Sequence, residues 1–294
     1  MSRPAGKAPR ALNTTDLVLG SFSNVPPNET LNHAIRYLGT WSGFDKAMMV
    51  TQYGSKLVVA FLSLQHVLRV RLAGAKTFHA EHGGSSVAKR ITRLGGLISD
   101  ARTLYRIWGI LPMIQWMISI ERNPPPTRLL HNIERIQGWS MLLYCPLEAI
   151  CYLASHSIIP VSAHAQGRMM LLSVRAWAVY VMLQLLHLVE DNRLLRLRAR
   201  ALERSRGHPT PARTPSTEKN VQLGDEQEQT RQLWKELDAR KEAILNQLWV
   251  NLGYLPLTLH WSVPGGLISD AWVGLFGTVA ASAGLKAGWR ATAK

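Results

Sequence analysis

Residues 255–289 read LPLTLHWSVPGGLISDAWVGLFGTVAASAGLKAGW, and this run decides which fold class to expect. Its residues 255–285 hold a single carboxylate, Asp270, and no Lys or Arg. A membrane span needs about 20 apolar residues, and the 19 residues at 267–285 come close to that length. Before them the run is broken by Pro256, Pro264 and two glycines. The pattern therefore predicts a kinked entry, with His260 and Trp261 at the membrane interface, followed by a transmembrane helix.

Small residues recur along one face of this predicted terminal helix. Their steps of three and four form a single stripe on an α-helix, made of Gly274, Gly277, Ala281, Gly284 and Gly288. In lipid, small residues at such spacing let two helices approach closely, whereas in a water-soluble helix each Gly costs about 1 kcal/mol relative to Ala. We therefore expect a helix-packing surface here, used either within the chain or for self-association between copies.

The chain as a whole is basic and of intermediate hydropathy. It has 294 residues, with 34 Lys and Arg against 19 Asp and Glu, and a net charge of +15. Its mean hydropathy is −0.02. The positive surplus favours an anionic neighbour such as a membrane face.

The two cysteines, Cys145 and Cys151, cannot build a disulfide framework, which favours a reducing compartment. No secretory signal pattern begins the chain, so internal segments are expected to insert.

Residues 87–111 have the clearest helical periodicity. Apolar residues recur at alternating steps of four and three, and this face includes Leu94, Ile98, Tyr105 and Trp108. Such steps place side chains on one side of a helix. The other side and its flanks carry Lys89, Arg93, Arg102 and Arg106. The pattern is typical of a core helix in a bundle and equally of an amphipathic helix lying in a membrane surface. Periodicity alone leaves the two open.

The rest of the chain divides into helical segments and polar connectors. We expect a disordered arm at 1–27, an N-terminal helical region at 28–200, a disordered linker at 201–230, and a C-terminal helix with membrane anchor at 231–294. Asn28 suits a helix cap. Hydrophobic helices are expected at 129–159 and 169–189, and the second is the best plain transmembrane candidate. The uncharged run at 57–68 is short for a span. Without strand-like alternation, the chain is predicted to be an all-α, membrane-associated helical bundle.

Patterns for catalysis and ligand binding are weak. The chain has no Gly-rich phosphate loop and no nucleophilic serine motif. His79 and His82 flank Glu81, but the histidines of a zinc hydrolase stand one helical turn apart. Glu134 and Glu148 are more simply polar breaks in helices than a catalytic pair. No nucleic-acid motif accompanies the basic surplus. We expect no enzyme activity, no cofactor, no metal site and no nucleic-acid partner.

Four stretches share their patterns with one known family. They are LNHAIRYLGTWSGFDKAMMVTQYGSKL (31–57), LISDARTLYRIWGIL (97–111), LLYCPLEAICYLA (142–154) and LTLHWSVPGGLISDAWVGLFGTVAAS (257–282). The first contains Asp45-Lys46 and Gln52-Tyr53, with Met49 as a departure, and the last contains a His-Trp, a Pro-Gly and a Gly-x-x-Gly pattern. In this order the stretches resemble the peroxin-11 family of peroxisome-proliferation membrane proteins, most of all its gamma branch.

The resemblance implies an integral protein of the peroxisomal membrane that elongates the organelle and promotes its division. It implies self-association and recruitment of the fission machinery, a dynamin-type GTPase with its adaptor. It also implies that the amphipathic helix at 87–111 enters the cytosolic leaflet. In that role Lys89, Arg93, Arg102 and Arg106 would bind lipid phosphates, while the wedge would consist of Leu94, Ile98, Tyr105 and Trp108.

Two other functions and the topology stay open at this point. The chain could instead form a self-associating pore for small metabolites, or act as an adaptor whose connector at 190–230 docks soluble partners. The arginines of 193–206 and the basic tail at 286–294 both favour the cytosol by the positive-inside tendency. If 169–189 and 267–285 each crossed once, those two basic flanks would lie on opposite faces. The sequence leaves this conflict unresolved.

Overall fold

The computed structural model describes residues 19–20, 25–72, 86–206 and 216–293, and eight α-helices make up most of this part of the chain. They are α1 (Glu29–Leu38), α2 (Trp41–Leu72), α3 (Ser86–Tyr105), α4 (Ile110–Arg122), α5 (Arg128–Ser155), α6 (Ala163–Arg206), α7 (Ser216–Trp261) and α8 (Asp270–Ala291). A 3-10 turn, Arg106–Gly109, joins α3 to α4. The described residues contain no strand, so the predicted all-α class is confirmed.

Two helices, α1 and α5, begin at a side-chain cap. Asn28 accepts a hydrogen bond from the Leu31 amide at 3.2 Å and starts α1 as predicted. Thr127 does the same for α5, accepting from the Leu130 amide at 3.2 Å directly after the proline run. A side-chain acceptor satisfies one of the amides that a helix start leaves without an intrahelical partner.

The terminal apolar run is broken at one place rather than two. Pro256 lies inside α7, whereas Pro264 is followed by Gly265 and Gly266 with φ angles of 85° and 73°. Only glycine adopts such angles without steric cost. His260 closes the turn, because its Nδ1 accepts hydrogen bonds from the amides of residues 267 and 268 at 2.7 and 3.0 Å.

Two expected segments differ from the structure. The amphipathic segment 87–111 is not one helix, since α3 ends at Tyr105 and α4 begins at Ile110. The expected linker 201–230 is helical at 201–206 and 216–230, where good helix formers such as Glu, Gln, Lys and Arg dominate. Residues 207–215 lie outside the described part of the chain, as do most of the predicted arm and the His79–His82 motif.

The helices form a ring in which each helix packs against its neighbours. Around the ring the order is α3, α2, α8, α7, α6 and α5, and the 3-10 turn and α3 meet α5 to close it. The core lies between α2, α7 and α8 and includes Met49, Tyr53, Leu257, Val273 and Ala280. A second apolar cluster joins α6 to α7 through Leu188, Leu195 and Ile244. The ring encloses a central cavity.

Two helices are long and apolar enough to cross a membrane, α2 and α6 up to residue 204, among the residues described. The expected terminal span, α8, is not one of them. Ala280 and Ala281 of α8 are fully buried between α2 and α7. The run at 57–68, judged too short from the sequence, belongs to the 32 residues of α2. The strongest span candidates are therefore α2 and α6.

The alternating directions of α6, α7 and α8 decide where the two basic flanks lie relative to each other. Arg240 of α7 pairs with Asp191 of α6, and Arg290 at the end of α8 pairs with Glu242 of α7. Because α7 runs back along α6 before α8 reverses again, the basic end of α6 and the basic end of α8 lie at the same end of the bundle. His33 of α1 bonds to the Trp289 carbonyl at 2.9 Å and so joins α1 to the end of α8.

Candidate functional site

Helix α3 packs on α2 through small residues. Its buried positions are Ala88, Gly95 and Arg102, spaced by seven. A Cβ on Gly95 would lie 2.5 Å from Ser55 Oγ, so a larger residue would force the Ser55 hydroxyl away from the Gln52 carbonyl to which it donates. The inner face of α3 is therefore narrow, and the larger apolar side chains lie elsewhere on the helix.

The outer face of α3 and of the turn after it exposes several large apolar side chains, with the exposed Arg90 among them. Leu94 is 51% exposed, Leu97 63% and Trp108 67%, and Val87 and Leu104 are exposed as well. Of the predicted wedge residues, Ile98 and Tyr105 are half-buried, and the Tyr105 ring stacks on Trp41 at 3.7 Å. Lys89 and Arg93 are exposed beside this face. The structure thus brings two of the four predicted basic residues next to an open apolar surface.

Arg102 lies inside the bundle, which corrects its expected placement beside lipid phosphates. It is 6% exposed, and its Nε donates to Asp45 Oδ1 at 2.8 Å. Its Nη1 donates to Gln52 Oε1 at 2.6 Å. Both acceptors belong to α2. Burying a guanidinium is costly unless it is paired and hydrogen-bonded, so Arg102 holds α3 against α2.

Arg106 is also drawn inward. Its Nη2 and Nε donate to the two oxygens of Glu148 at 2.7 and 3.2 Å, and the Tyr144 hydroxyl donates to the same carboxylate at 2.6 Å. Burial alone would lower the pKa of Arg106, but the Tyr144 phenol and the Glu148 carboxylate beside it raise the pKa overall. Arg106 thus stays charged and ties the 3-10 turn to α5.

A cavity of about 460 Å³ occupies the middle of the ring. Its polar wall comes from α2, α3, the 3-10 turn and α5, and includes Lys56, Ser99, Arg102, Arg106 and Glu148. Its aromatic wall comes from α6 and α7, where the Trp177 ring lies 6.0 Å from Trp261 and 5.4 Å from Tyr254. The cavity therefore has a basic side and an aromatic side.

The small-residue stripe of α8 faces α2 and α1 of the same chain. A Cβ on Gly274 would lie 2.9 Å from Lys56 Cβ, and one on Gly277 would overlap the Tyr53 ring. Gly284 approaches Lys46, and Gly288 approaches the Tyr37 ring. Ala281 is fully buried. Of the two uses left open by the sequence, the structure shows packing within the chain, so self-association would have to use another surface.

Sequence reasoning missed the acidic partners of the two inward arginines. Asp45 and Glu148 were noted, one in a family pattern and one as a polar break, but not as ion-pair partners. The available signal was a carboxylate embedded in an otherwise apolar helix, which indicates a buried cation nearby. The described residues hold no group of three or more side chains suited to a metal ion.

The fold and these surfaces are those of a helical, membrane-associated protein in which one amphipathic helix, α3, leaves apolar side chains exposed. Comparison with protein-family models gives a more specific assignment. Residues 31–289 match the family described as Peroxisomal biogenesis factor 11 (PEX11). Neither the comparison with curated proteins nor that with solved structures gives a match.

Because the match spans most of its length, the chain belongs to the peroxisomal biogenesis factor 11 family. It is therefore a peroxisome biogenesis factor, associated with the peroxisomal membrane and involved in peroxisome proliferation and division. The family is not a known enzyme class, and the assignment does not favour the metabolite pore.

Proposed function

We propose that this protein elongates the peroxisomal membrane and promotes peroxisome division by inserting α3 into one leaflet. The observation that carries the proposal is the outer face of α3, where Leu94, Leu97 and Trp108 are exposed beside Lys89 and Arg93. Apolar side chains with flanking cations are the signature of a helix that lies in the headgroup region. An apolar face wedged into one leaflet expands that leaflet and favours curvature.

The buried ion pairs suit this function because they hold α3 in a fixed orientation. Arg102 is bound to α2 and Arg106 to α5, so the exposed leucines point away from the bundle. A helix that was free to rotate could bury these leucines against the protein instead. In this proposal Lys89 and Arg93 contact lipid phosphates, and Arg102 and Arg106 position the wedge.

We further propose that the protein is integral to the membrane, with α2 and α6 as the spans. Both helices expose rows of apolar side chains, for which lipid is the natural environment. On α2 these are Val58, Phe61, Leu64 and Leu68, and on α6 they are Leu172, Val179, Met182 and Leu186.

Because α3 packs antiparallel along α2, through Gly95 on Ser55 and Arg102 on Asp45, α3 does not lie in the headgroup plane while α2 spans the bilayer. Insertion of α3 therefore belongs to a state in which the bundle lies along the membrane surface, and the spans to a state in which it crosses the bilayer.

The proposed partners follow from the family rather than from the geometry. They are further copies of the chain, and a dynamin-type GTPase with its adaptor, which would complete division of an elongated membrane. The resemblance of the four sequence stretches also supports placing the protein in the gamma branch. A surface other than the α8 stripe would mediate self-association, since that stripe is buried against α2.

The function is tested with the full-length protein reconstituted into vesicles that contain anionic lipid. We expect electron microscopy to show tubules with the native protein and intact spherical vesicles with the Leu94→Glu/Leu97→Glu double variant. Both leucines are exposed, so the two new carboxylates should leave the fold unchanged while they oppose insertion.

A matched control is the Leu233→Glu/Leu245→Glu double variant, which places the same charges on exposed leucines of α7. This variant should tubulate vesicles as well as the native protein does. Tubulation by the α3 variant at the native level would show that α3 is not the wedge.

A further inference from the structure

One outward-facing row of side chains follows α6 along most of its length. The first part of this row is apolar and exposed, and it consists of Leu172, Val179, Met182, Leu186 and Val189. Steps of three, four and seven place these residues on one side of the helix. At 1.5 Å per residue the part from 172 to 189 is about 26 Å long, close to the hydrocarbon thickness of a bilayer.

Beyond Val189 the same row continues as arginine. Steps of four, three, four and four lead to four exposed side chains that we call the α6 arginine stripe: Arg193, Arg196, Arg200 and Arg204. An apolar row that turns into a row of cations on one helix face is the pattern of a helix that leaves the hydrocarbon and enters the headgroup region.

Most of the charge on the α6 arginine stripe is uncompensated. Arg193 pairs with Glu190 at 3.2 Å. The other three arginines form no ion pair with any residue that the structure describes. Glu203 is also exposed at the edge of the stripe, so four arginines against two carboxylates leave a surplus of two positive charges. This surface therefore complements a negatively charged partner.

Three of these arginines line a shallow depression on the outer surface of α6. It has a volume of about 370 Å³ and is lined by Val189, Asn192, Arg193, Arg196, Leu197 and Arg200. The fork of donors on a guanidinium matches the oxygens of a phosphate group, and Val189 and Leu197 add apolar surface beside it. An anionic phospholipid offers both chemistries, a phosphate and a hydrocarbon chain.

We propose that the α6 arginine stripe binds an anionic phospholipid, with the lipid phosphate on Arg193, Arg196 and Arg200 and the acyl chains along Val189 and Leu186. This inference rests on the proposal that α6 spans the membrane, and it adds a headgroup site at the end of that span. Arg193 and Arg196 lie only about 6 and 10 Å past Val189. Arginine side chains can extend back toward the interface, so both reach the headgroup phosphates.

The test uses the full-length protein in phosphatidylcholine nanodiscs, with both native cysteines replaced by serine and a fluorophore attached at Met182→Cys. Position 182 is exposed on the apolar part of the row. Quenching by brominated phosphatidylcholine measures whether α6 lies in hydrocarbon. The additional quenching by brominated phosphatidic acid, at equal bromine content, measures the preference for anionic lipid.

We expect both lipids to quench the fluorophore, and phosphatidic acid to quench it more strongly. Equal quenching by the two lipids would overturn the lipid site and leave the span intact. An absence of quenching by either lipid would overturn the span, and the lipid site with it.

Single substitutions locate the lipid on α6. Arg196→Gln and Arg200→Gln should each lower the preference for phosphatidic acid by about fivefold, and since both side chains are exposed the fold should be unchanged. Arg198→Gln is the matched control, because position 198 is two residues from each of them and so lies on the opposite side of the helix. It should keep the native preference. An equal loss in Arg198→Gln would mean that net charge attracts the lipid, and would overturn the assignment to the stripe.

Discussion

The packing of α3 against the bundle depends on individual buried charged residues. The Arg102 side chain is 7% exposed and its partner Asp45 is 14% exposed, so water screens their attraction little. Gln52 satisfies a further donor of the same guanidinium. Removing one member of such a pair leaves an uncompensated charge in the interior, which is more damaging than losing the pair as a whole.

We expect Asp45→Asn to lower the free energy of unfolding by about 3–5 kcal/mol, because Arg102 would remain buried and charged. The Asp45→Leu/Arg102→Met double variant should recover most of this loss. Thermal unfolding of the detergent-solubilised protein, followed by circular dichroism, measures both effects.

The control for this prediction is Glu121→Gln, which breaks the exposed pair with Arg135. Water already solvates that pair, so the transition temperature should not move. If Asp45→Asn also left the transition temperature unchanged, Arg102 would not be holding α3 against α2.

The two cysteines should be poorly reactive. Burial, together with the nearby Glu148 carboxylate, raises the pKa of Cys145 to about 11. Cys151 is 1% exposed, and burial raises its pKa as well. The thiolate is the reactive form, so maleimide labelling of the folded protein should be slow at pH 7.5 and should accelerate as the pH rises toward 11.

An added exposed cysteine, His164→Cys, provides the reference rate, and mass spectrometry separates the sites. Labelling of Cys145 at pH 7.5 as fast as this reference would mean that its surroundings do not suppress the thiolate.

At the level of helices, the close approach of α8 to α2 depends on what faces each glycine. Gly277 faces the ring of Tyr53, a buried and rigid side chain, whereas Gly284 faces the flexible side chain of Lys46 at 3.1 Å. A rigid neighbour cannot yield to a new Cβ, and a flexible chain can. The absence of a side chain therefore matters more at position 277 of the stripe than at position 284.

We expect Gly277→Ala to destabilise the protein by about 1–3 kcal/mol through overpacking against Tyr53. Gly284→Ala should be much milder, because Lys46 can shift. Thermal unfolding compares the two variants. Gly54→Ala, with open space around its Cβ, is the reference for the gain in helix propensity of about 1 kcal/mol that any such change in a helix brings.

The same variants distinguish internal packing from self-association. Packing within the chain predicts a loss of thermal stability with no change in oligomer size on light scattering. A smaller oligomer with native thermal stability would show that the stripe is an interface between copies.

For the molecule as a whole, the alternation of α6, α7 and α8 places both basic ends on one side. The contacts of Arg240 with Asp191 and of Arg290 with Glu242 carry this conclusion. If the bundle crosses the membrane as proposed, the positive-inside tendency predicts that this side faces the cytosol. The N-terminal end of α6 lies at the other end of the bundle.

This topology predicts how introduced cysteines react in intact peroxisomes. In a background with both native cysteines replaced by serine, Arg204→Cys and Ala293→Cys should react with a membrane-impermeant maleimide. His164→Cys should react only after the membrane is permeabilised. Opposite accessibility of positions 204 and 293 would contradict the antiparallel arrangement of the three helices.

Much of the helical framework could be predicted from the sequence. Apolar periodicity, the Asn28 cap, the proline run before Thr127 and the Pro-Gly-Gly turn all act over a few neighbouring residues. The four ordered stretches likewise indicated the family before any contact was known. The amphipathic surface of α3 was located, although its end was placed six residues too far along the chain.

The tertiary structure alone decided which partner each feature meets. Arg102 and Asp45 are 57 positions apart, and Arg106 and Glu148 are 42 apart. Whether an arginine beside an apolar face points to lipid or inward depends on which helix packs behind it. The same holds for the α8 stripe, whose spacing suits any close helix but whose partner is α2. Helix periodicity is a local property of the chain, whereas these pairings follow from closure of the ring.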